Sequence, residues 1–237
     1  MNAYRNLRAA SRFRLDLVRF HREHYDAYRR INALIARRLH ELLRPDDRIW
    51  VHDYHLIPLA EELRALGCTN RIGFFLHIPW PARRLFISLP KHRELVASLF
   101  DYDLIGFQTQ DSLSAFQDYV TQNAGGTVQP DGTVTAFGRT VRAGAFPIGL
   151  DTPDFVAAAK GETAGVWAER MKTSLAGRQM IIGVDRLDYS KGITLRLRAF
   201  KDLLERHPDM RGRVSLIQVV VPSREALPQY ERMKTEI

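Results

Sequence analysis

Ile49-Trp50-Val51-His52-Asp53-Tyr54-His55-Leu56-Ile57-Pro58 is the stretch whose reading decides the fold. Ile49, Trp50 and Val51 follow the turn-forming Pro45-Asp46-Asp47 as a short apolar run, the pattern of a buried parallel strand. His52, Asp53, Tyr54 and His55 stand where that strand ends, before a helix that begins near Pro58. Open α/β sheets bind ligands outside the carboxyl ends of their strands, so these four polar side chains fall at a site mouth.

The same grammar recurs downstream. Arg71-Ile72-Gly73-Phe74-Phe75-Leu76 is an apolar run that ends in His77 and is followed by Ile78-Pro79-Trp80-Pro81. A further strand, from Met180 through Val184 and Asp185, runs into a loop holding Arg186, Lys191 and Gly192. Three polar strand ends in sequence order point to a rim built for a ligand.

Around these strands the periodicity predicts the remaining elements. Tyr28, Ile31, Ile35, Leu39 and Leu42 recur at helical spacing, giving an amphipathic helix over 25–43, arginines mostly outward, packed beside the first strand. A helix over 56–66 has Pro58 in its first turn and Gly67 just past its end. After the strand 71–77, Pro79 and Pro81 forbid regular structure, and 82–90 reads as a loop over a site or a connector to a helix at 93–100. A strand at 103–107, a helix through Val120 capped by Asp111, and a hairpin of 133–137 and 139–145 about Gly138 complete a parallel α/β layer. Asp151-Thr152-Pro153 and the Ala/Gly-rich stretch to Gly165 break the pattern and mark a domain junction, dividing 1–150 from 151–237. A second α/β unit follows: a helix at 164–175, a strand at 179–185, a helix at 195–206 ended by Pro208, a strand at 214–221, and a helix after Arg224.

Composition bounds the function. With 237 residues, 45% of them apolar, the chain can bury a core as one large or two small domains. The net charge of +8, with twelve arginines and no lysine in the first 48 residues, makes an anionic partner plausible. The Arg29/Arg30 and Arg37/Arg38 pairs read as a solvated helix face, and no zinc-finger spacing, RNA-binding aromatic motif or leucine zipper supports a nucleic-acid partner beyond charge. Cys68 is the only cysteine, which excludes an intramolecular disulfide and cysteine-based structural zinc and fits a reducing, cytoplasmic setting. No run approaches the roughly 18 apolar residues of a membrane span, and Met1 to Leu15 lacks the apolar core of a secretion signal.

Five motifs carry a resemblance that extends from about Phe13 to the C-terminus. Trp50-Val-His-Asp-Tyr-His-Leu56, Arg71-Ile-Gly-Phe-Phe-Leu-His-Ile-Pro79, Asp103-Leu-Ile-Gly-Phe-Gln-Thr109, Phe146-Pro-Ile-Gly149 and Arg186-Leu-Asp-Tyr-Ser-Lys-Gly192 resemble, in order, the motifs of the trehalose-6-phosphate synthase family. The resemblance implies a double-Rossmann (GT-B-like) glycosyltransferase fold. Residues 1–150 would be the later part of the N-terminal, acceptor-side domain, and 151–237 the first part of the C-terminal, nucleotide-sugar-binding domain. The family's glycine-rich loop would precede Met1 and its acidic motif would follow Ile237, so the chain reads as incomplete at both ends.

The implied reaction transfers glucose from UDP-glucose to glucose 6-phosphate with retention, giving trehalose 6-phosphate, without a metal cofactor. By resemblance Arg186 and Lys191 bind the leaving diphosphate; an ion pair with Asp185 or Asp188 is the alternative for each. His77 would touch the donor glucose, where a satisfied core histidine is the usual reading of such a position. Asp53 would serve the acceptor, or else cap the following helix. Arg224, in Val221-Pro222-Ser223-Arg224, would hold the acceptor phosphate, or else a surface salt bridge. His52 and His55 make a weak zinc site and read as structural or sugar-contact residues. No carboxylate pair demands a double displacement, and a homo-oligomer stays open. The competing expectations are a catalytically incomplete fragment or interaction subunit, and a relative using another nucleotide (GDP or ADP) or another acceptor such as glycerol 3-phosphate.

Overall fold

The computed structural model describes residues 21–188 and 191–221, and their contacts divide into two compact units that part between Gly149 and Leu150. The first unit runs α1 (Arg22–His40), β1 (Arg48–His52), a 3-10 turn (Tyr54–Leu56), α2 (Leu59–Ala65), β2 (Arg71–Leu76), α3 (Arg83–Phe86), α4 (His92–Leu99), β3 (Leu104–Phe107), α5 (Gln110–Asn123), β4 (Thr127–Val128), β5 (Thr133–Ala136) and β6 (Arg139–Ala145). The second runs α6 (Thr152–Lys160), α7 (Glu162–Leu175), β7 (Gln179–Arg186), α8 (Ile193–Arg206), a 3-10 turn (Pro208–Met210) and β8 (Val214–Val221).

In the first unit β1, β2, β3 and β6 lie parallel in that order, and β5 and β4 extend the sheet antiparallel beyond β6. The hairpin joining β5 to β6 turns on Phe137 and Gly138, both with positive φ (55° and 73°), the two-residue turn whose twist matches that of the strands. Alternation along the strands sorts the side chains. Val51, Ile72, Phe74, Leu76, Ile105, Phe107, Val141 and Ala143 are buried on one face, beneath Leu59, Leu63, Leu95, Leu99 and Phe116 of the helices. Trp80, Phe86, Phe107, Phe116 and Tyr119 meet there as edge-on and tilted aromatic pairs.

The first strand is not buried on both faces as its apolar run predicts. Trp50 is 68% exposed, because it alternates away from Val51 onto the open face that it shares with Gly73, Phe75 and Leu104. The stripe expected on α1 is also rotated: Ile31 and Leu42 are exposed, and the buried residues are Asn32 and Ala36, with Tyr25, Tyr28 and Leu39 packed on the core. Small and polar residues carry no apolar signal, so hydrophobic spacing alone misplaced the face. Nor is Arg29 solvated. Its guanidinium donates to both Glu61 carboxylate oxygens (2.7 and 2.9 Å) and to Glu62 (2.8 Å), bolting α1 to α2.

Other departures have local causes. Residues 83–86, expected in a loop, form a short helix beyond Pro81. The cap of α5 is Thr109, whose Oγ1 accepts from the Ser112 N–H at 3.2 Å, and Asp111 sits inside the first turn. The stretch after Asp151, expected to break the pattern, is α6: Asp151 caps it by accepting from Asp154 N–H at 3.2 Å, with Pro153 in the first turn and three alanines following. In the second unit β7 and β8 pair in parallel, and Leu187, Ile193 and Val214 are buried. The expected helix after Arg224 lies outside the described residues.

Two outcomes test this core. Phe116→Ala, which empties the centre of the aromatic cluster, should lower unfolding free energy by about 3–5 kcal/mol in urea titrations. His92, with Nδ1 2.6 Å from the Tyr119 hydroxyl, is held below the ordinary histidine value of 6.5 by burial and then by the Arg93 charge. A depressed histidine is protonated more readily in the unfolded chain, so its contribution is complete above 6.5 and is lost as pH falls through the folded-state value. The melting temperature should therefore fall on acidification in this window, and less steeply in His92→Gln.

Candidate functional site

The chain reverses sharply after β1. The Asp53 N–H still donates to the Phe75 carbonyl (2.8 Å), continuing the ladder with β2, but Asp53 itself has φ 68° and ψ 165°. That region is almost reserved for glycine and costs a non-glycine residue about 1–3 kcal/mol, so it persists only where the surroundings over-determine it. Here they do. The Tyr28 hydroxyl donates to the Tyr54 carbonyl (2.7 Å), Asn32 Nδ2 to the His55 carbonyl (3.1 Å), and the Tyr102 hydroxyl to the Leu56 carbonyl (2.8 Å). Burial raises the Tyr28 and Tyr102 phenols well above their ordinary range, so both remain donors at any working pH. Three consecutive carbonyls are thus clamped, by the buried Asn32 and Tyr102 and the partly buried Tyr28.

Asp53 keeps one local bond, its Oδ1 accepting from the Tyr54 N–H at 3.0 Å. The capping role is therefore real, although the helix capped is the 3-10 turn of Tyr54–Leu56, and α2 starts later with Pro58 at its cap position. His52 is the last residue of β1 and turns to the open face of the sheet, where its Nδ1 lies 2.9 Å from His77 Nε2. Trp50 packs with its ring 4.5 Å from His52, and Phe75 with its ring 4.9 Å from His77. His77 is not a core histidine: it is exposed just past β2, in a groove lined also by Leu104, Gln108, Phe146 and Ile148. His55 does not join it; its ring stacks on Tyr54 at 3.9 Å. Among the described residues no three His, Cys, Asp or Glu side chains gather as metal ligands.

Two features of this groove escaped the reading of strand ends. Gln108 Oε1 accepts from the Ile148 N–H (3.2 Å), tying the third motif to the fourth. Gly106 lies under Phe75 and Phe146, where a Cβ would come within 2.6 Å of the Phe75 ring, so these aromatics close over the sheet only because position 106 has no side chain. A glycine inside an apolar strand is the signal that could have found this close approach.

In the second unit Arg186 is the last residue of β7, paired with Val221, and the Lys191 N–H donates to the Asp188 carbonyl (2.9 Å), folding the loop back before α8. Both side chains are exposed. The carboxylate of Asp185, an ion-pair alternative for these cations, is taken by a third: Arg196 of α8, at 2.7 Å. Hydrogen bonding from Arg196, with the Arg196 and Lys191 charges, holds the Asp185 carboxyl below its usual range. Arg196 also donates to Gln218 Oε1 (2.5 Å) on β8. Neither Arg196 nor Gln218 was singled out from the sequence. Arg224 lies outside the described residues.

Comparison with known proteins identifies the family. The model of glycosyltransferase family 20 matches residues 11–237. A trehalose-6-phosphate synthase of Sinorhizobium fredii is 43% identical over 225 residues, covering 95% of this chain and 48% of the relative. The corresponding enzyme of Cronobacter sakazakii is 42% identical over 228 residues, covering 96% and 48%. The crystal structure of an α,α-trehalose-phosphate synthase (UDP-forming) from Burkholderia xenovorans in complex with glucose-6-phosphate matches with a TM-score of 0.86 and 47% identity, over 97% of this chain and 51% of that one. An Escherichia coli structure bound with UDP-2-fluoro glucose matches with a TM-score of 0.85 and 41% identity, over 97% and 51%. The chain spans about half the length of the curated relatives it matches. Its fold class is that of the double-Rossmann, GT-B glycosyltransferases. Matched by the family model over residues 11–237, the chain belongs to glycosyltransferase family 20.

Proposed function

We propose that the chain carries part of the site of an α,α-trehalose-phosphate synthase, which transfers glucose from UDP-glucose to glucose 6-phosphate with retention. The observation that carries this reading is the match, over 97% of the chain, to the Burkholderia xenovorans structure complexed with glucose-6-phosphate; the match to the Escherichia coli structure bound with UDP-2-fluoro glucose supports the donor. The unit ending at Gly149 is then the acceptor side, and the unit from Leu150 the nucleotide-sugar side.

In this reading Arg186 and Lys191 receive the diphosphate. Fixed cations at a strand end stabilise the charge that develops on the leaving phosphate without reorganising, and no metal is required for that task. The bond from the donor anomeric carbon to the phosphate oxygen breaks, and a bond forms on the same face to the anomeric hydroxyl of the acceptor. The hydroxyl proton passes to the leaving phosphate, so the protein supplies position and charge rather than a nucleophile. His77 contacts the donor glucose, its ring held by His52, and its backbone carbonyl faces positive charge building at the reacting carbon. Asp53 orients the acceptor from a backbone that cannot relax, and Arg224 holds the acceptor phosphate. The free, buried thiol of Cys68 accords with a reducing, cytoplasmic setting. Among the described residues no helix is long and apolar enough to cross a membrane.

The chain's span of about half its relatives favours a second reading, an incomplete portion or interaction subunit of such an enzyme. Trehalose 6-phosphate made by the isolated 237-residue chain would remove it.

Two variants test the site in the full-length protein. Arg186→Ala should weaken UDP binding by about tenfold to a hundredfold in calorimetry, the loss of one charge-assisted pair; unchanged binding would place the diphosphate elsewhere. Asp53→Gly and Asp53→Ala should both lose transfer to glucose 6-phosphate, yet the glycine variant should be the more stable by about 1–3 kcal/mol, since only glycine relieves the backbone. Equal stabilities would mean that Asp53 is not strained.

A further inference from the structure

Arg196 projects from α8 across β7 and reaches two partners on different strands, Asp185 Oδ2 at 2.7 Å and Gln218 Oε1 at 2.5 Å. Gly183, whose register partner on β8 is Gln218, makes the crossing possible. A Cβ at 183 would overlap Arg196 Nη1 and Gln218 Oε1, although Gly183 has ordinary strand φ and needs no glycine for its backbone. The missing side chain is therefore spent on admitting this guanidinium. The contact is also half-sheltered, with side-chain exposures of 36% for Arg196 and 16% for Asp185.

The carboxylate so engaged belongs to the residue immediately before Arg186 and lies within electrostatic range of Lys191. An unengaged carboxylate there would compete with any anionic ligand for the loop's cations. Lys191 is the one at risk, because it leads directly into the helix that faces Asp185, whereas Arg186 alternates to the other side of the strand. We infer that Arg196 is a positioning residue that engages Asp185 and so keeps Lys191 available to an incoming nucleoside diphosphate, with Gly183 and Gln218 fixing the guanidinium in place. The inference rests on the proposed diphosphate site and adds to it the device that keeps an acidic neighbour from occupying its lysine.

A double-mutant cycle on UDP affinity, measured by calorimetry in the full-length protein, separates this role from a merely structural one. Arg196→Gln should weaken UDP binding about tenfold, and adding Asp185→Asn should restore it to within about threefold of the unaltered protein, because the competitor has then gone as well. Asp185→Asn alone should not weaken UDP. Gly183→Ala, which expels the guanidinium without changing any charge, should reproduce the loss and be rescued by the same Asp185→Asn; it serves as the test if Arg196→Gln does not fold. An affinity that stays low in both double variants would overturn the inference, showing that Arg196 only holds the unit together, as would normal affinity in Arg196→Gln. Failure of the underlying site reads differently: UDP binding that is absent in the unaltered protein, or unaffected by Arg186→Ala, would overturn the diphosphate site and this inference with it.

Discussion

The strained backbone at Asp53 is held by Tyr28, Asn32 and Tyr102, and the first unit's candidate chemistry depends on that clamp. Each of the three reaches a different carbonyl of the turn after β1, two from α1 and one from the segment leading into β3. The placement of α1 is thus tied to the shape of the site: its buried face is chosen by hydrogen bonds as much as by apolar area. Arg29, bound to Glu61 and Glu62, fixes the same helix against α2 from the other side of the turn. The donors of Tyr28, Asn32, Tyr102 and Arg29 are all paired here, where leaving one unsatisfied would cost more than making the bond gains.

Both units use one architectural rule in different ways. Parallel strands end together, so polar residues just beyond them collect on one edge of a sheet. In the first unit that edge holds His52, Asp53 and His77, with aromatic rings around the histidine pair. In the second it holds Arg186 and Lys191, with Asp185 turned inward to Arg196. The first edge offers hydrogen-bonding side chains beside flat apolar walls. The second is suited to phosphate by its cations.

The sequence by itself determined the strands, the parallel layering and the family, because these rest on local signals: apolar runs of strand length, turn residues between them, and five ordered motifs. It also located Asp53 and His77 just past strand ends, Arg186 at the end of one, and Lys191 in the loop that follows it. Start signals were legible where they were used, and misread where composition was weighed instead, as at Asp151, whose cap and proline begin a helix through a stretch read as irregular. Only the tertiary structure decided which neighbours each polar group takes. Nothing local says that His52 rather than His55 meets His77, that Asn32 and not Ile31 faces the core, or that Arg196 claims Asp185. Those partners lie 23, 25 or 11 residues apart in the chain, and their pairing is set by strand register and helix rotation, quantities that exist only once the elements are packed.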